Sequence, residues 1–144
     1  MATMRGFSKR IKAIADGVEQ NANAMMRKTV ITVASAVALR TPVDTGRARA
    51  NWQTQIGSAA GGVTGAFPAG KRGSTGAAAA GVAISNAVDV MSRYNRGGVD
   101  VFISNNLPYI GRLNAGSSKQ APAGFIQSAV IAGQNAIRKS RLVK

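Results

Sequence analysis

The chain has 144 residues and a formal net charge of +14, from 19 Lys and Arg against 5 Asp and Glu, with no Cys and no His. This excludes disulfides, thiolate metal sites, imidazole bases and His-dependent catalytic triads. The length fits one domain over residues 1–144, and the basic excess points to a polyanionic or acidic neighbour, with a solvated basic surface as the alternative.

Material for a core is thin. Hydrophobic residues make up 45% of the chain, but aromatics are only 5%, and 17 glycines add backbone freedom that folding must remove. Such a chain is expected to gain stability from neighbouring subunits. The N-terminus, MATMRGFSKRIK, lacks the apolar stretch of a signal peptide. The longest uncharged runs, such as Gln120 to Ile137, contain Gln, Ser, Asn, Pro and Gly. No membrane span and synthesis in the cytoplasm are therefore expected.

Phe7 to Leu39 reads as a helix. Apolar or small residues recur at Phe7, Ile11, Ile14, Val18, Ala22, Met25, Thr29 and Val33, in steps of three or four, which places them on one face. From Thr29 the run TVITVASAVAL is apolar nearly all round and should be the more deeply buried half. Its β-branched residues also suit a strand, but the helical period runs through without a turn signal. Gly17 marks a point where the helix could break.

Pro42 should stop this helix, because it disfavours α geometry at Thr41 and donates no hydrogen bond. Asp44, Thr45 and Gly46 form a turn sequence. Arg47 to Ile56 alternates, with Ala48, Ala50, Trp52, Thr54 and Ile56 on one side and Arg47, Arg49, Asn51, Gln53 and Gln55 on the other. That pattern predicts a half-buried strand with Trp52 pointing inward. Gly57 to Ser74 reads as a long glycine-rich loop or flexible hairpin.

Thr75 to Tyr94 reads as a second helix, with Ser74 or Thr75 as N-cap and Val82, Ala83, Val90 and Met91 on its apolar face. Asn95 to Gly98 is a turn. Val99 to Ser104 (VDVFIS) is a second strand, and Asn105 to Ala121 a loop. Pro122 suits a helix start. The final helix has a broad apolar face of Phe125, Ile126, Ala129, Val130, Gly133, Ala136 and Ile137, and its cationic end suits the helix dipole. The expected fold class is α+β: a long N-terminal helix and a small antiparallel sheet, on which a central and a C-terminal helix pack, with a long Gly-rich loop.

No enzymatic constellation is visible. The five acids, Asp16, Glu19, Asp44, Asp89 and Asp100, are dispersed, and no cofactor or metal site is implied. Asp44 is better read as a turn-former than as a catalytic acid, although a local ion pair with Arg47 or Arg49 is open. KRGST, Lys71 to Thr75, comes nearest to a phosphate cradle but lacks the required spacing. Cations available for DNA or subunit contacts are Arg47, Arg49, Lys71, Arg72, Arg93, Arg96, Arg112, Lys119, Arg138, Lys139, Arg141 and Lys144. The aromatics are too few and too dispersed for base stacking, so any nucleic-acid contact is expected to run through phosphates. Trp52, Tyr109 and Phe125 are read as packing residues.

Two segments go beyond composition: TPVDTGRARANW, Thr41 to Trp52, and ISNNLPYIGRLNAGSSKQAPAGFI, Ile103 to Ile126. Their order, and the long helix before the first, resemble the neck or tail-completion proteins of tailed double-stranded DNA bacteriophages, a broad family that includes relatives of the minor tail protein Z. Pro42, Val43, Asp44, Thr45, Gly46 and Arg49 match the first family element. Asn106, Pro108, Tyr109, Leu113 and Gly116 match the second, which in the family pattern is followed by a proline-led C-terminal helix. Where family members often carry an acid this chain has Asn114, which leaves an intersubunit salt bridge at that position unsupported. The resemblance implies a non-enzymatic virion protein of the head–tail junction, made in the host cytoplasm. It implies a homo-oligomeric ring, a hexamer or dodecamer, between head-connector and tail-terminator or tube proteins and around the DNA path. The loops Gly57–Ser74 and Asn105–Ala121 are then candidates for contacts between subunits. The alternative is a small basic DNA-binding protein of the nucleoid-associated type.

Overall fold

The computed structural model describes residues 3–95 and 97–140. Its architecture is mixed α+β. Helix α1 spans Met4–Arg40, α2 Arg47–Ala50, β1 Gln53–Ile56, α3 Gly76–Ser92, β2 Val101–Ser104, α4 Ile110–Asn114 and α5 Phe125–Arg138. Helix α1 is one unbroken element of 37 residues that continues through Gly17. Thr3 opens it, the side-chain oxygen accepting from Gly6 N at 3.1 Å. It closes at Thr41, which is already extended ahead of Pro42 (φ −63°, ψ 129°).

The second half of α1 carries the core. Val30, Ala34, Val37 and Ala38 are buried there, and α3 and α5 are its main neighbours. Helix α5 runs antiparallel to α1: its start, Phe125, shares a cleft with Leu39 and Thr41, and its end, Ile137, shares a groove with Ala22 and Met25. Alanine dominates the buried set, with Ala79, Ala80, Ala83 and Ala87 on α3 and Ala129 on α5. Small side chains let helix backbones approach closely, so the fold fills its interior with backbone rather than bulky groups. Trp52 and Phe125 are the large pieces, in one cluster with Val37, Ala38, Ala80, Ala83, Ala121 and Ala129. A second cluster holds Val30, Met91 and Tyr94.

The sheet has two antiparallel strands, with Gln53 opposite Ser104 and Ile56 opposite Val101. Two strands alone are marginal in water. Here α3 supports β1, and Asn86 Oδ1 accepts from Thr54 N at 2.8 Å.

The structure corrects several expectations. The strand expected over Arg47–Ile56 is a helical turn followed by a four-residue strand. Arg and Ala are strong helix formers, and Gly46, at φ 93°, lets the chain enter the turn. Its carbonyl accepts from Ala50 N at 3.1 Å. Pro122 does not begin α5; Gly124, at φ 85°, is the N-cap, and the helix starts at Phe125. The face of α5 is narrower than expected, since Val130 and Ile137 are exposed. The loop at 105–121 contains α4. The first half of the predicted α1 face, Phe7, Ile11, Ile14 and Val18, is exposed; Ile137, near the end of α5, sits beside Ala22, Met25 and Met26, further along α1.

Two glycines in helices behave oppositely. A Cβ on Gly133 would come within 2.3 Å of Val33 Cγ2, whereas one on Gly17 would meet nothing within 4 Å. Ala is favoured over Gly in a helix by about 0.5–1 kcal/mol, while overpacking costs about 1–3 kcal/mol. Gly17→Ala should therefore raise the urea midpoint and Gly133→Ala should lower it. The same sign for both would contradict this packing of α5 on α1.

Candidate functional site

The two motif segments meet in space. The first turns at the end of α1, around Thr41, which is fully buried. Thr41 Oγ1 donates to Val37 O at 2.6 Å and accepts from Trp52 Nε1 at 2.8 Å. Thr41 O accepts from Arg49 Nε at 2.7 Å. One threonine thus ties the helix end to both the tryptophan and an arginine of the next turn.

Arg49 is therefore not presented alongside Arg47 on an outer face. It folds inward, and burial holds its guanidinium below the usual arginine pKa, though still a cation. Arg47 is exposed. Asp44 pairs with neither: its Oδ1 accepts from Arg72 N at 3.0 Å, and its carbonyl accepts from Gly73 N at 2.8 Å. With Thr45 O accepting from Gly70 N at 3.0 Å, this turn seats the Lys71–Ser74 bend at the head of α3. Thr75 is the N-cap residue of α3, but its hydroxyl makes no capping bond.

The second segment docks on the first. The Gln120 side chain brackets Val43: Oε1 accepts from Val43 N and Nε2 donates to Val43 O, both at 2.8 Å. Asn105 Nδ2 donates to Ala48 O at 2.9 Å. The Gln120–Val43 bridge stands between two clefts of about 310 and 330 Å³, and Pro42 lines both. Tyr109 is half-buried on the second cleft and Pro108 is exposed. Leu107, beside them, is the buried residue. Gly116, at φ 92°, lies against Ala123 where the chain turns toward α5.

Asn114 has a role inside its own chain. Its Oδ1 accepts from Ile126 N at 3.0 Å, its carbonyl accepts from Gly124 N at 2.8 Å, and Nδ2 donates to Gln127 Oε1 at 3.0 Å. It satisfies the first turn of α5 from outside the helix, as an N-cap would.

The long loop is pinned at several points. Thr64 N donates to Asn51 Oδ1 at 2.7 Å, and Gln53 Nε2 and Asn106 Nδ2 both donate to Gly62 O. Asn51, Asn105, Asn114 and Gln120 thus hold the loops, and only their amide chemistry at turn positions hints at this in sequence.

Part of the cation set lies by this joint, on the bend that Asp44 holds and beside Gln120, and part lies far from it. Lys71 and Arg72 are exposed on the bend, Arg112 and Lys119 on and after α4, and Arg138 and Lys139 at the far end of α5, about 20 Å along the helix from Phe125. Arg93 is ion-paired with Asp89 at 2.8 Å. Arg96, Arg141 and Lys144 lie outside the described residues. Arg27, not among the candidates, fastens α1 to the end of α3 by donating to Tyr94 O from Nε at 3.0 Å and also from Nη2. Among the described residues no group of three or more acids could hold a metal ion, and no helix is long and apolar enough to cross a membrane.

Comparison with known proteins finds no matching family model, no similar curated protein and no similar solved structure.

Two substitutions test the joint. Trp52→Ala should cost about 3–5 kcal/mol, read from urea denaturation, by emptying the cluster and orphaning Thr41; an unchanged midpoint would show that Trp52 is not part of the core. Asn114→Ala should cost about 1 kcal/mol as a lost cap. Asn114→Asp should retain or exceed wild-type stability, because a carboxylate favours the α5 N-terminus by about 0.3–1 kcal/mol. Equal losses in both variants would argue against capping.

Proposed function

We propose that this protein is a non-enzymatic structural component of a tailed-phage head–tail junction, assembled as a homo-oligomeric ring around the DNA path. The observation that carries the reading is the joint between the two motif segments, made by Gln120 on Val43 and Asn105 on Ala48. The two segments that resemble the neck and tail-completion family are distant in sequence, yet Pro42, Val43, Asp44 and Gly46 of the first share one cleft with Tyr109 and Leu113 of the second. Asp44 and Gly46 serve the turn, Trp52 the core and Gln120 the bridge, which are the roles of a scaffold.

Two further features support assembly. An alanine-rich interior gives limited burial per side chain, so contacts with other copies add stability. The charge of +14 suits a DNA channel or acidic neighbouring proteins. Ring contacts are heterologous and close on themselves, and exposed cations such as Arg47, Arg72 and Lys119 belong to the channel or to those contacts. Location in the virion follows from this reading.

The same charge favours a second reading, a small nucleoid-type binder that grips duplex phosphates. The readings part on assembly and salt. Light scattering coupled to size exclusion should give ring-sized oligomers, alone or on adding adjacent junction proteins. Tight duplex binding by a monomer or dimer, lost steeply as salt rises, would overturn the ring in favour of the binder.

A further inference from the structure

About the first four turns of α1 project past the end of α5, with Asp16 at their inner end bordering a cleft beside Asn95. Residues 4–18 lie beyond the groove in which Ile137, near the end of α5, meets Ala22, Met25 and Met26. Along this overhang Met4, Phe7, Ile11, Ile14 and Val18 form an apolar stripe whose members are 38–83% exposed. The Lys12–Asp16 ion pair, at 3.3 Å, ties successive turns of the helix to each other only.

The pattern of the stripe identifies the kind of surface that covers it. The steps alternate three, four, three, four, which is the 3.5-residue repeat of a coiled-coil seam, with Met4, Ile11 and Val18 at a and Phe7 and Ile14 at d. The seam is narrow. Its e and g flanks carry Ser8, Ala15 and Gly17, with Arg10 the one charged member, while Arg5, Lys9, Lys12, Asp16 and Glu19 occupy b and f on the far side. A helix lying in a lipid surface presents a broader apolar face with large side chains, whereas a strict a/d stripe with small flanks fits another helix. The same side of α1 takes a helix further along: Thr29 and Val33 meet α5 at Gly133. Where α5 ends, the place of a packed helix is open among the described residues.

We propose that this seam is a self-association surface on which the corresponding seam of a second copy packs. Charge permits it despite the net charge of the chain, because two helices packed seam to seam direct most of their cations outward. Area sets its strength. Fifteen residues at 1.5 Å rise and a helix about 10 Å wide give a footprint of roughly 220 Å² per copy. The pair then covers on the order of 450 Å², below the roughly 1,200 Å² of a stable specific interface. The seam therefore works as one contact within a larger assembly, and in that respect the inference rests on the ring reading and assigns it a contact.

The chain has no cysteine, so placed cysteines report proximity cleanly. The full chain is made as Ile11→Cys and Ile14→Cys, mixed in equal amounts and oxidised mildly, with Lys9→Cys and Asp16→Cys as the far-face control. The seam pair should give several-fold more disulfide-linked dimer than the control, whichever way the helices run. Ile11→Asp combined with Ile14→Asp should keep the melting temperature, since both positions are exposed, and should lower the weight-average mass in sedimentation. Linkage no greater than the control, or an assembly unchanged by the double aspartate, would overturn the proposal. So would sedimentation with anionic phosphatidylglycerol vesicles by a chain that forms no seam disulfide. A ring that persists without seam linkage removes the seam and leaves the ring, whereas linked pairs that never close into a ring keep the seam and remove the ring.

Discussion

The fold turns on a single buried threonine. Thr41 stands where α1 must end, because the proline after it forbids further helix. A helix end has carbonyls without partners, and a buried end must find them. Thr41 does this with its own atoms. Its amide and hydroxyl both donate to Val37 O, its hydroxyl accepts the indole N–H of Trp52, and its carbonyl accepts from Arg49. The chain thereby reverses direction with its largest side chain facing inward. The positions of α2, β1 and the Trp52 cluster follow from that geometry.

From this corner the rest is held by short polar side chains. Asn51 fixes the middle of the long loop, Asp44 the bend before α3, Gln120 the connection to α5, and Asn114 the first turn of α5. Hydrogen bonds of this kind contribute about 1 kcal/mol each net, but leaving a buried partner unsatisfied costs more. They define where loops run more than they add to stability. The alanine-lined interior fits this division: helices set the packing distance, and amides set the loop paths. A body built this way is precise but modest in burial, and its charge and its uncovered α1 stripe face outward, available to other molecules.

Much of the framework was legible in the sequence. The helical period over Phe7–Leu39, the stop at Pro42, the turn at Asp44–Gly46, the burial of Trp52 and a strand within VDVFIS all rest on local rules, and the structure follows them, with the strand confined to Val101–Ser104. The misreadings also have local causes. RARA alternates as a strand does, but four residues match either period, and helix propensity with a glycine entry decided between them. The apolar period of α1 correctly indicated a face, yet periodicity cannot say whether a partner lies within the same chain. Gln120 on Val43 and Asn114 on Ile126 were invisible because they join residues distant along the chain. The inward turn of Arg49 was hidden for the same reason, its acceptor being a backbone carbonyl that no sequence pattern marks.

The central claim is that the segment from Thr41 to Trp52 is a closed, hydrogen-bonded corner and not an open cationic grip. Trp52 is the only tryptophan, so its indole N–H gives a single resolved signal in a nitrogen–proton spectrum. Hydrogen exchange at that position measures the corner directly. The account predicts exchange slowed to the rate of global unfolding, in step with the most protected amides of α1 and α3. Exchange within minutes, while those amides remain protected, would show an open corner and contradict it.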